Sequence, residues 1–583
     1  MTIGSTPAAA TVDSRLSVWL SYGVLLAGLG AAVASAYIVI STYSPLPHWD
    51  EWSLFDHLAT GNGWSWAWLW AQHNEHRILV PKIFFLLDVQ LFHGTQTFLL
   101  ASIFLIQLLQ AGLLSYSLWT LGGMRGSVWR TGTGLIAYCI LCPTQQENLI
   151  WGFQLQFVVP AAMATLAVLS LLLRYRNSAE NKIAESSLLL PLAAAAATVA
   201  TWSLANGMLL WPLLLLTALL LRMRHSVSLV LALCAAANIS LYLYHYHRSS
   251  PQNGIVPSFP AMGGILRYVA VYFGSTWVRH SSGLVAVVVG AAGVCAGLAI
   301  IASVVLQRGT RSLFLLELSL LMLFCLATAA ITASGRLYLG LEQATASRYQ
   351  TFALLFWCSL GLALLFYASR SRTQWYILST FLLALMLGFA TQVRLPLIDA
   401  QWHQLRLRLV SLALLTGVQD PATLAEAYPD PRAVLRSSEY MKQHRLSIFA
   451  GDLYSQVGQP LDAMYRIRPA SECSGYVSSS QVVSADDGQG LRMTGYAWDN
   501  RLNRPARTIV ATVDGRISGL GSTLAIPMSF PATSQQTDPA RFGWIAFVHD
   551  MYATSSVELY AVVGKDSLDV CPFAQASFQP PTW

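Results

Sequence analysis

The chain has 583 residues, 55% of them hydrophobic and only 11% charged, with a formal net charge of +7. Ordinary soluble domains carry about 25% charged residues, so this composition, with a mean hydropathy of +0.50, excludes a soluble globular chain and points to a polytopic α-helical membrane protein. In such a chain the surplus of Lys and Arg is sorted by loop, and nucleic acid is not an expected partner.

The apolar residues come as long runs of Leu, Ala, Val and Ile up to residue 395, after which Asp, Pro, Gly and Ser return. A boundary near Pro396 therefore separates a membrane domain, 1–395, from the remainder. At the start, Asp13 and Arg15 precede an apolar stretch from Leu16 to Ile40. It is too long for a signal-peptide core and ends in no small-x-small cleavage site, so it is read as a retained span.

Further apolar windows fall at 96–120, 128–143, 154–173, 186–205, 207–221, 227–245, 282–306, 312–333, 349–369 and 374–392, giving about 11 spans. The pair Asn206-Gly207, flanked by Trp202 and Trp211, marks either a turn between two helices or a broken, re-entrant one. With the N-terminus inside, the inner loops carry Arg125 and Arg130, Arg174, Arg176 and Lys182, Arg222 and Arg224, Arg308 and Arg311, and Arg370 and Arg372. Every inner loop is then basic, and an odd span count puts the C-terminal part outside.

The outer loops, 41–95, 144–153, 246–281 and 334–348, hold the unusual polar residues. The first has Asp50 and Glu51 between Trp49 and Trp52, then Trp64, Trp66, Trp68 and Trp70, then His73, Glu75, His76, Arg77 and Lys82. The tryptophans read as an interfacial belt in contact with membrane lipids, with sugar stacking as the alternative for one or two of them. The second loop has Glu147; the third His245, His247, Arg248, Arg267, Tyr268, Arg279 and His280; the fourth Arg336, Glu342, Gln343, Arg348 and Tyr349. Arginines outside have little topological use, which suggests that some of them face anionic groups.

Adjacent acids point about 100° apart on a helix, so of Asp50 and Glu51 one addresses substrate and the other is structural or a cation ligand. Asp50, Glu51 and His76 could hold Mg²⁺, Mn²⁺ or Ca²⁺. His73 and His76 lie three apart, which is not the His-Glu-x-x-His spacing of a zinc hydrolase. Positioning of hydroxyls and phosphate by His76 and Arg77 is the preferred alternative, and no cofactor is certain.

This pattern resembles the GT-C superfamily of integral membrane glycosyltransferases, whose members carry an acidic motif in the first outer loop after the first span. Asp50-Glu51 matches it in position and chemistry, and Ala346-Ser347-Arg348-Tyr349 looks like the element that addresses the donor's lipid phosphate. The resemblance covers residues 15–395. It implies a polyprenyl-phosphate-linked sugar donor, a glycan or lipid-linked acceptor hydroxyl, and direct displacement with inversion at the outer face of a bacterial inner membrane. In that scheme Asp50 is the base, with Glu51 as its catalytic neighbour. His73, Glu75, His76 and Glu147 position the acceptor or a cation, and Arg348, Tyr349, Arg77 and Lys82 bind phosphate. A lipid-linked polysaccharide polymerase or O-antigen ligase is the nearest alternative. A transporter is the second, with Glu317 as its candidate mid-span charge, and a non-catalytic scaffold the third.

Residues 396–472 read as a helical connecting region, with Leu405 to Leu415 apolar-periodic. From 473 to 583 the pattern becomes short strands: 491–498, 508–513 before Asp514-Gly515, 543–548 and 556–563. An extracytoplasmic β-sandwich fits, either a structural cap or a carbohydrate-binding domain with Tyr496, Trp498 and Trp544 as platforms. Cys473 and Cys571 bracket it, as a disulfide would in an oxidising compartment.

Overall fold

The computed structural model describes residues 14–180, 182, 187–247, 259–278, 282–307, 312–390, 393–486, 488–523, 543–549, 556–564 and 568–577. Asp13, Arg248, Arg279, His280, Arg308 and Arg311 lie outside the described residues. The chain divides into two compact units, one of Met1–Ser41, Trp66–Phe85 and Leu99–Leu397, the other of Thr42–Ser65, Leu86–Phe98 and Ile398–Trp583. The units part between Leu397 and Ile398, and most of the first long loop belongs to the unit that holds the C-terminal residues.

The first unit is helical, the state in which a long apolar run satisfies its own backbone donors and acceptors. Every apolar window holds a helix: Arg15–Ser41, Thr97–Thr120, Gly126–Ile140, Leu155–Ala179, Leu189–Thr201, Leu210–Leu220, His225–Leu243, Leu284–Leu306, Leu313–Arg336, Gln350–Ala368 and Arg372–Ala390. Among the described residues, 7 helices are long and apolar enough to cross a membrane. Burial sorts them: 83% of the apolar window in Gly152–Ala179 is covered by protein, against 22% in His225–Leu243 and in Leu284–Leu306. The former is a central helix, and the latter two turn Leu229, Leu233, Val285 and Val288 outward as lipid-facing helices do.

Small residues set one close crossing. Along Arg15–Ser41 the buried positions Ser17, Ser21, Val24, Gly28, Ala31, Ser35 and Ile38 recur every three or four residues. A Cβ on Gly28 would run into the Gly134 carbonyl of helix Gly126–Ile140, and one on Gly134 into the backbone at Val24 and Leu25. That approach is the one small-residue stripes permit in membrane helices, and Ser35 Oγ donates across it to the Leu141 carbonyl at 2.6 Å. At Asn206-Gly207 the chain makes a short 3₁₀ turn, Ala205–Leu209, between two short helices. Gly207 is needed there because a Cβ would meet the Ala200 carbonyl.

In the second unit, helix Pro431–His444 has Asp430 as N-cap, accepting from Arg432 N at 3.0 Å, and Pro431 in its first turn. Its buried face, with Ala433, Val434, Ser437 and Met441, packs on the short helix Glu51–His57. The first-loop residues are stitched to this C-terminal part. Trp49 N donates to Ala427 O at 2.9 Å and Ser447 N to His93 O at 2.7 Å. Ser447 Oγ also donates to Pro45 O at 2.7 Å.

Among the described residues nine strands follow: β1 Arg466–Ile467, β2 Cys473–Ala485, β3 Gly488–Asp499, β4 Arg504–Pro505, β5 Thr508–Val513, β6 Arg516–Thr523, β7 Gly543–Val548, β8 Ser556–Val563 and β9 Asp569–Ser577. They form one hydrogen-bonded sheet in the order β1-β9-β8-β5-β6-β7-β3-β2, with β4 on β3. The β5–β6 hairpin turns at Asp514-Gly515, both at positive φ (50° and 74°), as a two-residue hairpin of this sequence requires. Cys473 on β2 and Cys571 on β9 form a disulfide with Cα atoms 6.2 Å apart. In a flat sheet those strands, six spacings apart in the order, would be about 29 Å from each other. The sheet is therefore curled, and the expected two-sheet sandwich is corrected to one rolled sheet around Met493, Trp544, Val548, Leu559 and their neighbours.

Candidate functional site

Within the second unit the two adjacent acids have different surroundings. Glu51 opens helix Glu51–His57 and is 1% exposed. Its Oε2 accepts from His48 N at 3.0 Å and from Gln96 Nε2 at 3.2 Å, so this carboxylate ties the loop together. Asp50 precedes it, partly exposed, on a turn made by Trp49 at φ 45°. Tyr428 neighbours it: burial, then Asp50, Asp430 and Asp56, push the phenol up from its ordinary pKa and keep it a proton donor. Arg436 makes a two-pronged contact to Asp56 at 3.0 and 3.2 Å.

His48 packs edge-on against His403 with ring centroids 4.2 Å apart. Burial, then His403 and Arg406, hold the His48 imidazole well below its usual pKa, so it is neutral. Asp88, 1% exposed, accepts from Gln96 N at 3.0 Å and from Phe98 N at 3.2 Å, which caps the helix starting at Thr97.

In the first unit, His73 and His76 exchange backbone hydrogen bonds of 2.7 and 2.9 Å around Asn74 at φ 50°. This tight turn presents Glu75, which pairs with Arg336 at 3.2 Å. Burial lowers the His76 pKa to about 4, with Glu75 opposing the shift and Arg336 and His73 adding to it. The imidazole is therefore neutral near pH 7, with Nδ1 buried and lacking a protein partner.

The second cation lies at the start of the helix ending at Ala368. Arg348 Nη1 reaches Glu147 at 3.4 Å and Nη2 reaches Gln343 at 3.2 Å. Its turn is held by Glu147 N donating to Ser347 Oγ at 3.0 Å and by Asn148 Nδ2 donating to Arg348 O at 2.9 Å. Both guanidinium groups act on one phenol, since Arg348 and Arg336 are electrostatic neighbours of Tyr268. His73 stacks edge-on to Phe153 at 5.2 Å, on the same short segment as Glu147. One end of this unit thus gathers His73, Glu75, His76, Arg336, Tyr268, Glu147 and Arg348. Both ion pairs are about one-third exposed, a geometry in which a carboxylate can be exchanged for another anion.

The other three expected phosphate ligands have these partners. Arg77, 3% exposed, donates Nε to Tyr242 O at 2.8 Å, Nη1 to Trp70 O at 2.6 Å and Nη2 to Tyr244 O at 2.5 Å. Lys82, 2% exposed, donates to Trp68 O at 2.7 Å and Ala71 O at 2.8 Å. Burial lowers its pKa to about 8. Both cations spend their donors on carbonyls and staple the loop. Tyr349, 5% exposed, stacks on Tyr272 at 5.5 Å, and the Arg348 guanidinium lies 5.3 Å from its ring centroid. Among the described residues no three His, Cys, Asp or Glu side chains group closely enough to hold a metal ion.

Sequence reasoning left Arg336, Tyr268 and Tyr428 out of the site. The first two stand in expected outer loops, which was the available signal; their convergence comes from chain segments far apart. Glu317, 0% exposed, is hydrogen-bonded by Ser117 within the helices of this unit. No family model, curated protein or solved structure matches this chain. The class its fold defines is a helical chain with membrane-length spans and a C-terminal β-sheet region.

Proposed function

We propose that the protein is a membrane glycosyltransferase, moving a sugar from a polyprenyl-phosphate donor to a hydroxyl of an envelope glycan or lipid-linked acceptor. It works at the outer face of a bacterial inner membrane, with about eleven crossings and the N-terminus inside, as the basic inner loops require. The observation that carries this reading is the pair Arg336 and Arg348 at the ends of helices of membrane length, each answered by a single exchangeable carboxylate.

The acceptor oxygen forms its bond to the anomeric carbon as the bond to the phosphate oxygen breaks, which inverts that centre. The acceptor proton passes to a carboxylate base; Asp50, the partly exposed acid of the second unit, is the candidate that the Asp50→Asn variant tests. Polyprenyl phosphate leaves with the electron pair and is received by Arg348 and Arg336, so cations are needed more than a general acid. Neutral His76, with its open ring nitrogen, orients a hydroxyl.

Two arginines, each held by one carboxylate, also suit a pyrophosphate, which gives the polymerase or ligase as second reading. The test is transfer from radiolabelled polyprenyl-phosphate sugars and polyprenyl-pyrophosphate oligosaccharides, in membranes holding wild-type or Asp50→Asn protein. Transfer from the monophosphate donors, reduced about 10²- to 10⁴-fold in the variant, is expected. Transfer from pyrophosphate donors alone would favour the second reading, and undiminished transfer by Asp50→Asn would remove Asp50 from the chemistry.

A further inference from the structure

The outward face of β2 and β3 carries a line of three aromatic rings that the core does not use. Directly opposed residues of a ladder point to the same face, and Tyr476 opposes Tyr496 while Ser474 opposes Trp498. Tyr476 and Tyr496 have centroids 6.0 Å apart at 32°, and Tyr496 and Trp498 are 6.0 Å apart at 17°. The rings therefore lie as near-parallel plates in a row. Tyr476 is 50% exposed, and Trp498 is steadied by its Nε1–H donating to Asn503 at 3.3 Å. The opposite face holds Met493, Ala497 and Trp544, all in the sheet's core. Trp544 is 0% exposed, so it is no platform.

What surrounds the rings selects the ligand. The same face presents Ser474 beside Asn500, and Ser479 hydrogen-bonded to Thr494 at 2.7 Å. Its one charged side chain on these two strands, Arg492, is paired with Asp420 at 3.4 Å. On these two strands the face is thus aromatic, hydroxyl- and amide-bearing and electrically neutralised, and its aliphatic residue, Val483, opposes Gly490 at the end of the ladder away from the rings. A protein or acyl-chain partner would use aliphatic contacts there. A sugar ring offers instead a flat apolar face for an aromatic plate and a rim of hydroxyls for polar neighbours.

We infer that Tyr476, Tyr496 and Trp498 form a binding platform for an uncharged glycan chain. Naming that glycan as the acceptor rests on the glycosyltransferase reading; the binding itself does not. The platform keeps the growing polymer on the enzyme between transfers by adding a second point of attachment.

The test uses the full-length protein in detergent micelles, passed over immobilised neutral polysaccharides: a glucan, a mannan, a galactan and an arabinan. Binding to at least one is expected, weakened about tenfold by Trp498→Ala and similarly by Tyr496→Ala. Trp498→Phe, which keeps a plate, stays close to wild type. Thermal unfolding of each variant separates loss of the platform from loss of the fold. Binding to none of the four, or equal binding by the alanine variants, would overturn the proposal. Failure of the transferase reading is seen separately, as absence of transfer to short acceptors, and leaves ring-dependent binding standing.

Discussion

Arg77 offers the sharpest test of whether a cation in this site is structural or binds phosphate. Three side-chain donors end on the carbonyls of Tyr242, Trp70 and Tyr244, and the guanidinium lies 5.6 Å from the Trp70 ring centroid. Hydrogen bonds to a charged group contribute about 1.5–3 kcal/mol each. Some of the released carbonyls regain water in Arg77→Ala, so we expect a loss of about 4 kcal/mol rather than the full sum. Arg77→Lys keeps the charge but cannot serve three divergent acceptors, and should lose about half as much. The assay is thermal or denaturant unfolding in detergent, with the KM for donor measured on the folded fraction. Structural stapling requires a lower midpoint in both variants and an unchanged KM. An unchanged midpoint with a KM raised tenfold or more in Arg77→Lys would refute this reasoning and return Arg77 to the phosphate.

Breaking the disulfide with Cys473→Ser and Cys571→Ser frees a link of sequence separation 98, so the β region should lose about 4–5 kcal/mol; unfolding under non-reducing and reducing conditions measures it. Gly28→Leu should collapse the crossing with Gly126–Ile140, because the added atoms meet the Gly134 backbone; gel filtration of the fluorescently tagged variant should show aggregate in place of the wild-type peak. The pH dependence follows from His76 and His403, both lowered from 6.5 to about 4 by burial. Between those values the unfolded chain binds more protons than the folded one, so stability is full above about pH 6.5 and falls as pH drops toward 4. His76→Gln should flatten that fall in unfolding midpoints recorded from pH 7 to 4.

Local patterns carried much of the fold. β5, β7 and β8 begin and end where period-2 alternation places them, because Thr, Val, Ile and Tyr fit a pleated strand and Asp514-Gly515 fits its turn. The Ser-rich β2 escaped notice, since its residues have little strand preference and its pairing with β3 supplies the order. Whether the alternation makes two sheets or one curled sheet depends on which strands pair, and no residue carries that locally. At the site, the chemistry of side chains was legible and their partners were not. Arg77 and Lys82 read as cations beside a membrane, but the carbonyls that absorb Arg77 come from Tyr242 and Tyr244. Adjacent Asp50 and Glu51 were expected to differ in role, and their surroundings do differ, Glu51 being 1% exposed and Asp50 partly exposed. Glu75 meets Arg336 across a sequence separation of 261, beyond the reach of any spacing rule.

The most direct measurement is sugar transfer by purified protein in nanodiscs from a radiolabelled polyprenyl-phosphate sugar, comparing wild type with Arg348→Gln and Arg336→Gln. With two guanidinium groups receiving the leaving phosphate, each variant should fall about 10²- to 10³-fold in turnover while remaining folded. Folded protein transferring sugar at the wild-type rate in both variants would contradict the proposed glycosyltransferase site.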